Sequence, residues 1–163
     1  YCIMRGTALS EGIGEKLTRL PSMPQCQVLI AKPGISVSTK TVYEMLDART
    51  LRPEDHPDID GMVEAIRKRD LYEVAGRFGN VLELVTAGRY PVIGQIEELM
   101  KEYGAINAMM SGSGPTVFGL FSNPSSARKA YEALRYGEGI DLAKQVYLTN
   151  FYNMNQGAAG RLR

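Results

Sequence analysis

Two apolar, strand-like runs at residues 106–110 and 116–121 are joined by Ser111-Gly112-Ser113-Gly114-Pro115, a link with almost no side chain. So short a link leaves no room for a crossover helix, and the two runs must pair antiparallel. Its two glycines also let successive backbone N–H groups turn toward one point, a concavity suited to an anion. The same residues read equally as a tight connection in which glycine only supplies a positive φ. Dinucleotide and Walker-type loops are set aside, because those open a helix and residues 116–121 read as strand.

The rest of the chain surrounds this hairpin with alternating strands and helices. An earlier hairpin is expected over residues 7–10 and 16–20 with a turn at 11–14, and Val28-Leu29-Ile30-Ala31 reads as a buried central strand. Ser38 is expected to cap a helix that turns Val42, Met45 and Leu46 inward. Thr39 and Tyr43, four apart, share a stripe on its flank, where Tyr43 reads as partial core packing or as a ligand contact. Asp58 or Asp60 caps a helix bearing Ile59, Met62, Val63 and Ile66, and its charged end at 67–70 reads as a solvated terminus. One further helix is expected over 71–87, bent or closely packed at Gly76 and Gly79. Pro91 opens and Gly104 closes the next, and Asn123-Pro124 opens another that stops at Gly137. Residues 145–151 form the last strand and 1–6 lead directly into strand-like sequence without a helix or cap, whereas 156–163 carry no pattern. The expected fold is an α+β two-layer sandwich with an antiparallel sheet, one domain over 1–155 followed by a tail at 156–163.

Composition narrows the chemistry. Nineteen basic against eighteen acidic residues leave a net charge of +1, without the basic excess that nucleic-acid binding requires. Cys2, Cys26 and His56 are too few for a disulfide framework, a structural zinc site or His-based catalysis, and His56 sits in a Pro- and Asp-rich loop. No apolar run approaches membrane-spanning length and no charged-then-apolar leader opens the chain, so no membrane partner and a cytoplasmic location are expected. The first residue is Tyr1, and a longer parent protein is expected.

The segment MSGSGPTVFGLF at 110–121 resembles the third motif of the GHMP kinases, the family of galactokinase, homoserine kinase and mevalonate kinase. GTALSEGIGEKL at 6–17, AKPGISVST at 31–39 and the pair Val42-Tyr43 carry the likeness further, toward members that act on a cytidine-diphospho sugar alcohol. Arg5 departs from it, standing where glycine is expected. The likeness runs from about residue 1 to 155.

The resemblance implies the family's ferredoxin-like carboxyl-terminal domain. It also implies that ATP, with Mg2+, is the co-substrate of a complete enzyme whose amino-terminal domain carries the ATP loop and the catalytic residues, so none is assigned within this chain. Tyr43 is implied to stack on the cytosine of a cytidine diphosphate sugar-alcohol substrate, with Thr39 facing the same cleft. Ser111, Gly112, Ser113 and Gly114 are implied to lie beside the nucleotide phosphates and to brace the missing ATP loop. Phosphate transfer to the 2-hydroxyl of that substrate is the implied reaction. A homoserine or mevalonate type of GHMP kinase, or a stand-alone ferredoxin-like ligand-binding or interaction module, are the alternatives. A half-protein exposes the apolar face that normally meets its partner domain, so homodimer formation through that face is a further expectation.

Overall fold

The computed structural model describes residues 6–47 and 49–151, so the expected tail and most of the entry stretch at 1–6 lie outside the described residues. A separate hairpin pairs β1 (Ala8–Glu11) with β2 (Lys16–Arg19). The main sheet contains β3 (Gln27–Lys32), β4 (Asn107–Met110), β5 (Val117–Phe121) and β6 (Gln145–Asn150). Its spatial order is β4-β5-β3-β6, with every neighbouring pair antiparallel. Helices α1 (Thr39–Met45), α2 (Ile59–Lys68), α3 (Leu71–Gly76), α4 (Val81–Arg89) and α5 (Val92–Glu102) all fall between β3 and β4. Helix α6 (Pro124–Tyr136) connects β5 to β6. With the helical segment counted as one connection, the sheet has the split βαββαβ arrangement of the ferredoxin-like fold.

Alternation along the strands assigns the two faces. Leu29, Ala31, Met110, Val117 and Phe121 are fully buried in the main core with Ile93, Ile96 and Met100 of α5 and Ala127, Ala130 and Leu134 of α6. Burial of each of the larger side chains contributes about 1.5–3 kcal/mol. Gly119 keeps this layer close, because a Cβ there would stand 2.9 Å from Met100 Sδ. Val28 and Leu120 point to the opposite face, where they meet Leu71 and Ala75 of α3. Phe78 sits edge-on to Phe118 on that side, with ring centroids 5.3 Å apart. The sandwich thus gains partial cover on its second face, which periodicity within single elements did not indicate.

Capping residues set most helix starts. The Ser38, Asp58 and Asn123 side chains each accept from a backbone N–H in the first turn of α1, α2 and α6. The expected single helix over 71–87 is two helices. Asp70 caps α3, the chain leaves helical geometry after Gly76, and Asn80 caps α4. Gly79 fits beside Pro57, where an added Cβ would lie 2.9 Å from Pro57 Cβ. Arg69 ends α2 in the left-handed region at φ 58, and the charged run around it is exposed as expected. One expected inward position is wrong: Met45 is 47% exposed, and Ile59, at the start of the apolar spacing of α2, is exposed to the same extent. Helix α1 lasts only seven residues and presents Val42 alone as a buried side chain, with Leu46 already at its C-cap.

Candidate functional site

The glycine loop is held by its own backbone and by α4. Ser111 N–H donates to Thr116 O at 2.8 Å and Gly114 N–H to Ser111 O at 3.0 Å, closing a tight turn between β4 and β5. Gly112 and Gly114 have φ values of 58 and 82, so both glycines occupy backbone geometry that other residues adopt only under strain. Their surroundings differ. A Cβ on Gly114 would collide with the Met110 sulfur and stand 3.4 Å from Thr86 Cγ2, whereas a Cβ on Gly112 would meet nothing within 4 Å. Gly114 faces the protein, and Gly112 faces open space. Among the described residues, neither the Gly112 nor the Ser113 N–H has an acceptor, which leaves two successive donors at the tip.

Helix α4 grips this loop from below. Asn80 Nδ2 donates to Met110 O at 3.0 Å and to Gly112 O at 2.8 Å, while the Asn80 side-chain oxygen accepts from Leu82 N–H at 3.1 Å. The Met110 N–H donates to Glu83 Oε2 at 2.9 Å. The buried Thr86 hydroxyl donates to Leu82 O at 3.0 Å and lies 3.4 Å from Ser113 O. Nothing in the apolar periodicity marks Asn80, Glu83 or Thr86 as part of the site. Asn80 followed three positions later by Glu83 has the spacing of a capping box, and that signal marks the start of α4.

Helix α1 reaches the same loop from the side. Thr39 Oγ1 and Ser113 Oγ lie 2.9 Å apart, so the stripe that carries Thr39 and Tyr43 adjoins the loop tip. Tyr43, one turn further on, is 60% exposed; the structure favours neither a core position nor an internal hydrogen bond for it. Between α1 and α4 runs a groove of about 200 Å³ lined by Ser36, Ser38, Val42, Met45, Arg89 and Tyr90. The Arg89 guanidinium lies 3.6 Å from Met45 Sδ and has no carboxylate partner among the described residues. Thr39, Ser111, Gly112, Ser113 and Gly114 therefore form one neighbourhood, with Tyr43 on its rim.

Two other groups bear on the chemistry. Burial pushes the Cys26 thiol up to about 11, so it is a core side chain without nucleophilic character near neutral pH. Burial raises the carboxyl of Glu83, and burial followed by the charge of Glu83 pushes Glu97 up to about 7. His56 lies exposed in its loop, as expected. Among the described residues no helix is long and apolar enough to cross a membrane.

Comparison with known proteins places this geometry in a family. Residues 62–138 match the GHMP kinases C-terminal family. A 4-diphosphocytidyl-2-C-methyl-D-erythritol kinase of Lachnospira eligens is 59% identical over 153 residues, covering 93% of this chain and 51% of the relative. The crystal structure of a 4-(cytidine 5'-diphospho)-2C-methyl-D-erythritol kinase superimposes with a TM-score of 0.65 at 28% identity, covering 90% of this chain and 50% of that one. A homoserine kinase from Cytophaga hutchinsonii gives a TM-score of 0.72 at 18% identity, covering 93% of this chain and 49% of its own, a likeness of fold. The chain spans about half the length of the curated relatives it matches. The matched segment, the identity across nearly the whole chain and the shared βαββαβ sheet together make this chain a GHMP kinase C-terminal domain.

Proposed function

We propose that this chain is the substrate-side domain of an ATP-dependent kinase that phosphorylates the 2-hydroxyl of 4-diphosphocytidyl-2-C-methyl-D-erythritol. The observation that carries the reading is the 2.9 Å contact between Thr39 and Ser113. It joins the helix that would receive the cytidine end of the substrate to the loop that would lie near the phosphates. In this proposal Tyr43 stacks on the cytosine ring, which its exposed position at the rim supports. Thr39 fixes the adjacent wall of the cleft. The free N–H groups of Gly112 and Ser113 orient phosphate oxygens, and Gly114 keeps the loop seated on Met110 and Thr86.

ATP binding and the proton transfer from the hydroxyl belong, in this proposal, to the half of the relatives' length that the chain does not span. Mg2+ enters as the counter-ion of the phosphates. Among the described residues no three His, Cys, Asp or Glu side chains converge to hold it, so no step is assigned to a metal bound by this domain. The high identity to cytidine-substrate kinases supports this acceptor over homoserine or mevalonate, since the larger TM-score to a homoserine kinase comes at 18% identity.

The test is turnover of the complete protein with ATP and each of the three acceptors. Phosphorylation of the cytidine-diphospho acceptor alone is expected. Preferential turnover of homoserine or mevalonate would overturn the assignment.

A further inference from the structure

Among the described residues, Glu97 is the only charged side chain that is buried, at 8% exposure. Its Oε1 is enclosed and has no hydrogen-bond partner. An ionised carboxylate left in that position would be costly, and the cost falls if the group carries a proton it can donate. The Glu83 carboxyl lies within hydrogen-bond reach of Glu97, and its Oε2 already accepts the Met110 N–H at 2.9 Å. Two carboxyl groups in contact at a poorly solvated site hold one proton between them more readily than two negative charges.

We propose that Glu83 and Glu97 are positioning residues that share one proton and thereby fix the end of β4, and with it the loop at 111–114. Glu97 O–H donates to the Glu83 carboxylate, and that carboxylate accepts the Met110 N–H. Asn80 holds the Met110 and Gly112 carbonyls from the same helix turn, so the residue just before the loop is fastened at both its N–H and its C=O. Loss of the shared proton places a second negative charge beside the first and loosens the Met110 attachment.

The charged groups facing the pair are few. Glu83 itself stands on α4, Lys101 on α5 draws both carboxyls down, and β4 contributes only the Met110 N–H. Lys101 is exposed, so it opposes the shift only in part. Burial and the neighbouring carboxylate dominate and place the transition of Glu97 at about 7. The effect on the loop stands independently of the kinase reading; only its consequence for phosphate transfer rests on that reading.

The experiment is amide hydrogen exchange of the full chain without nucleotide, read as protection at Met110 between about pH 6 and about pH 8, together with carboxyl-carbon NMR titration of Glu97. Protection at Met110 is expected to fall on the order of tenfold across this interval, with the Glu97 carboxyl titrating in the same range. Glu97→Gln keeps a donor toward Glu83 without a titrating group, and its protection is expected to be the same at both pH values. Protection that is flat in the unmodified chain, or that falls equally in Glu97→Gln, would overturn the proposal. So would titration of Glu97 in the ordinary carboxylate range, a result that does not depend on the folding of any variant.

Discussion

Thr39 Oγ1 and Ser113 Oγ lie 2.9 Å apart across 74 positions of sequence, tying the first residue of α1 to the tip of the glycine loop. Both hydroxyls are near the surface, so the bond itself is worth only about 0.5–1.5 kcal/mol. Its value lies in alignment. Thr39→Val keeps the shape and removes the hydroxyl; in the complete protein it is expected to leave the thermal midpoint within a few degrees and to raise KM for the proposed cytidine substrate. Steady-state kinetics beside a melting curve test this, and an unchanged KM would separate α1 from the loop in function.

The two loop glycines are expected to fail differently. Gly114→Val forces a β-branched side chain into φ 82 and against Met110 and Thr86, so folding should lose at least about 1–3 kcal/mol. Gly112→Ala meets open space and carries mainly the cost of φ 58, about 1–2 kcal/mol. Turnover per folded molecule is expected to drop at Gly112 if the loop tip meets phosphate. Denaturation midpoints and kinetics normalised to active sites check both halves; normal turnover in the folded fraction of both variants would reduce the loop to a connection.

Much of this arrangement was legible in the sequence. Val28-Leu29-Ile30-Ala31, Pro91 with Gly104, and Asn123-Pro124 mark a strand and two helices through local chemistry that tertiary packing did not override. The break between α3 and α4 was hidden because Val74, Phe78, Val81, Leu82 and Val85 continue an apolar rhythm through Gly79. The capping spacing from Asn80 to Glu83 carried the opposite message. Met45 reads as inward by spacing alone, yet whether a face is covered depends on what packs against it. Periodicity names faces of elements but not which faces meet, so neither the Thr39–Ser113 contact nor the burial of Glu97 beside Glu83 was visible.

Glu97 makes stability depend on pH in a stated direction. Its folded pKa, about 7, lies above the ordinary carboxyl value of about 4.5, so the native state binds the proton more tightly than the unfolded chain. The resulting stabilisation is complete below the unfolded value and is lost as pH rises through about 7. It amounts to on the order of 1–3 kcal/mol. Urea midpoints of the unmodified chain are expected to fall between about pH 5 and about pH 8, and Glu97→Gln to flatten that slope. A slope that persists in the variant would assign it to other groups.

The 163-residue chain alone is expected neither to bind magnesium-ATP measurably nor to transfer phosphate, because it spans about half of its relatives' length and the ATP loop is assigned to the other half. Calorimetric titration measures this directly. A stoichiometric event in the micromolar range would point instead to a self-sufficient nucleotide-binding module.

Affinity of the complete protein for the proposed cytidine-diphospho substrate, compared between unmodified protein and Tyr43→Ala, tests the central assignment most directly. Loss of one base–aromatic stack is worth about 1–3 kcal/mol, so Kd is expected to rise by roughly 5- to 150-fold with ATP affinity nearly unchanged and Tyr43→Phe mild. Equal Kd values for the unmodified protein and the alanine variant would contradict the placement of cytosine on Tyr43 and return that side chain to the domain surface.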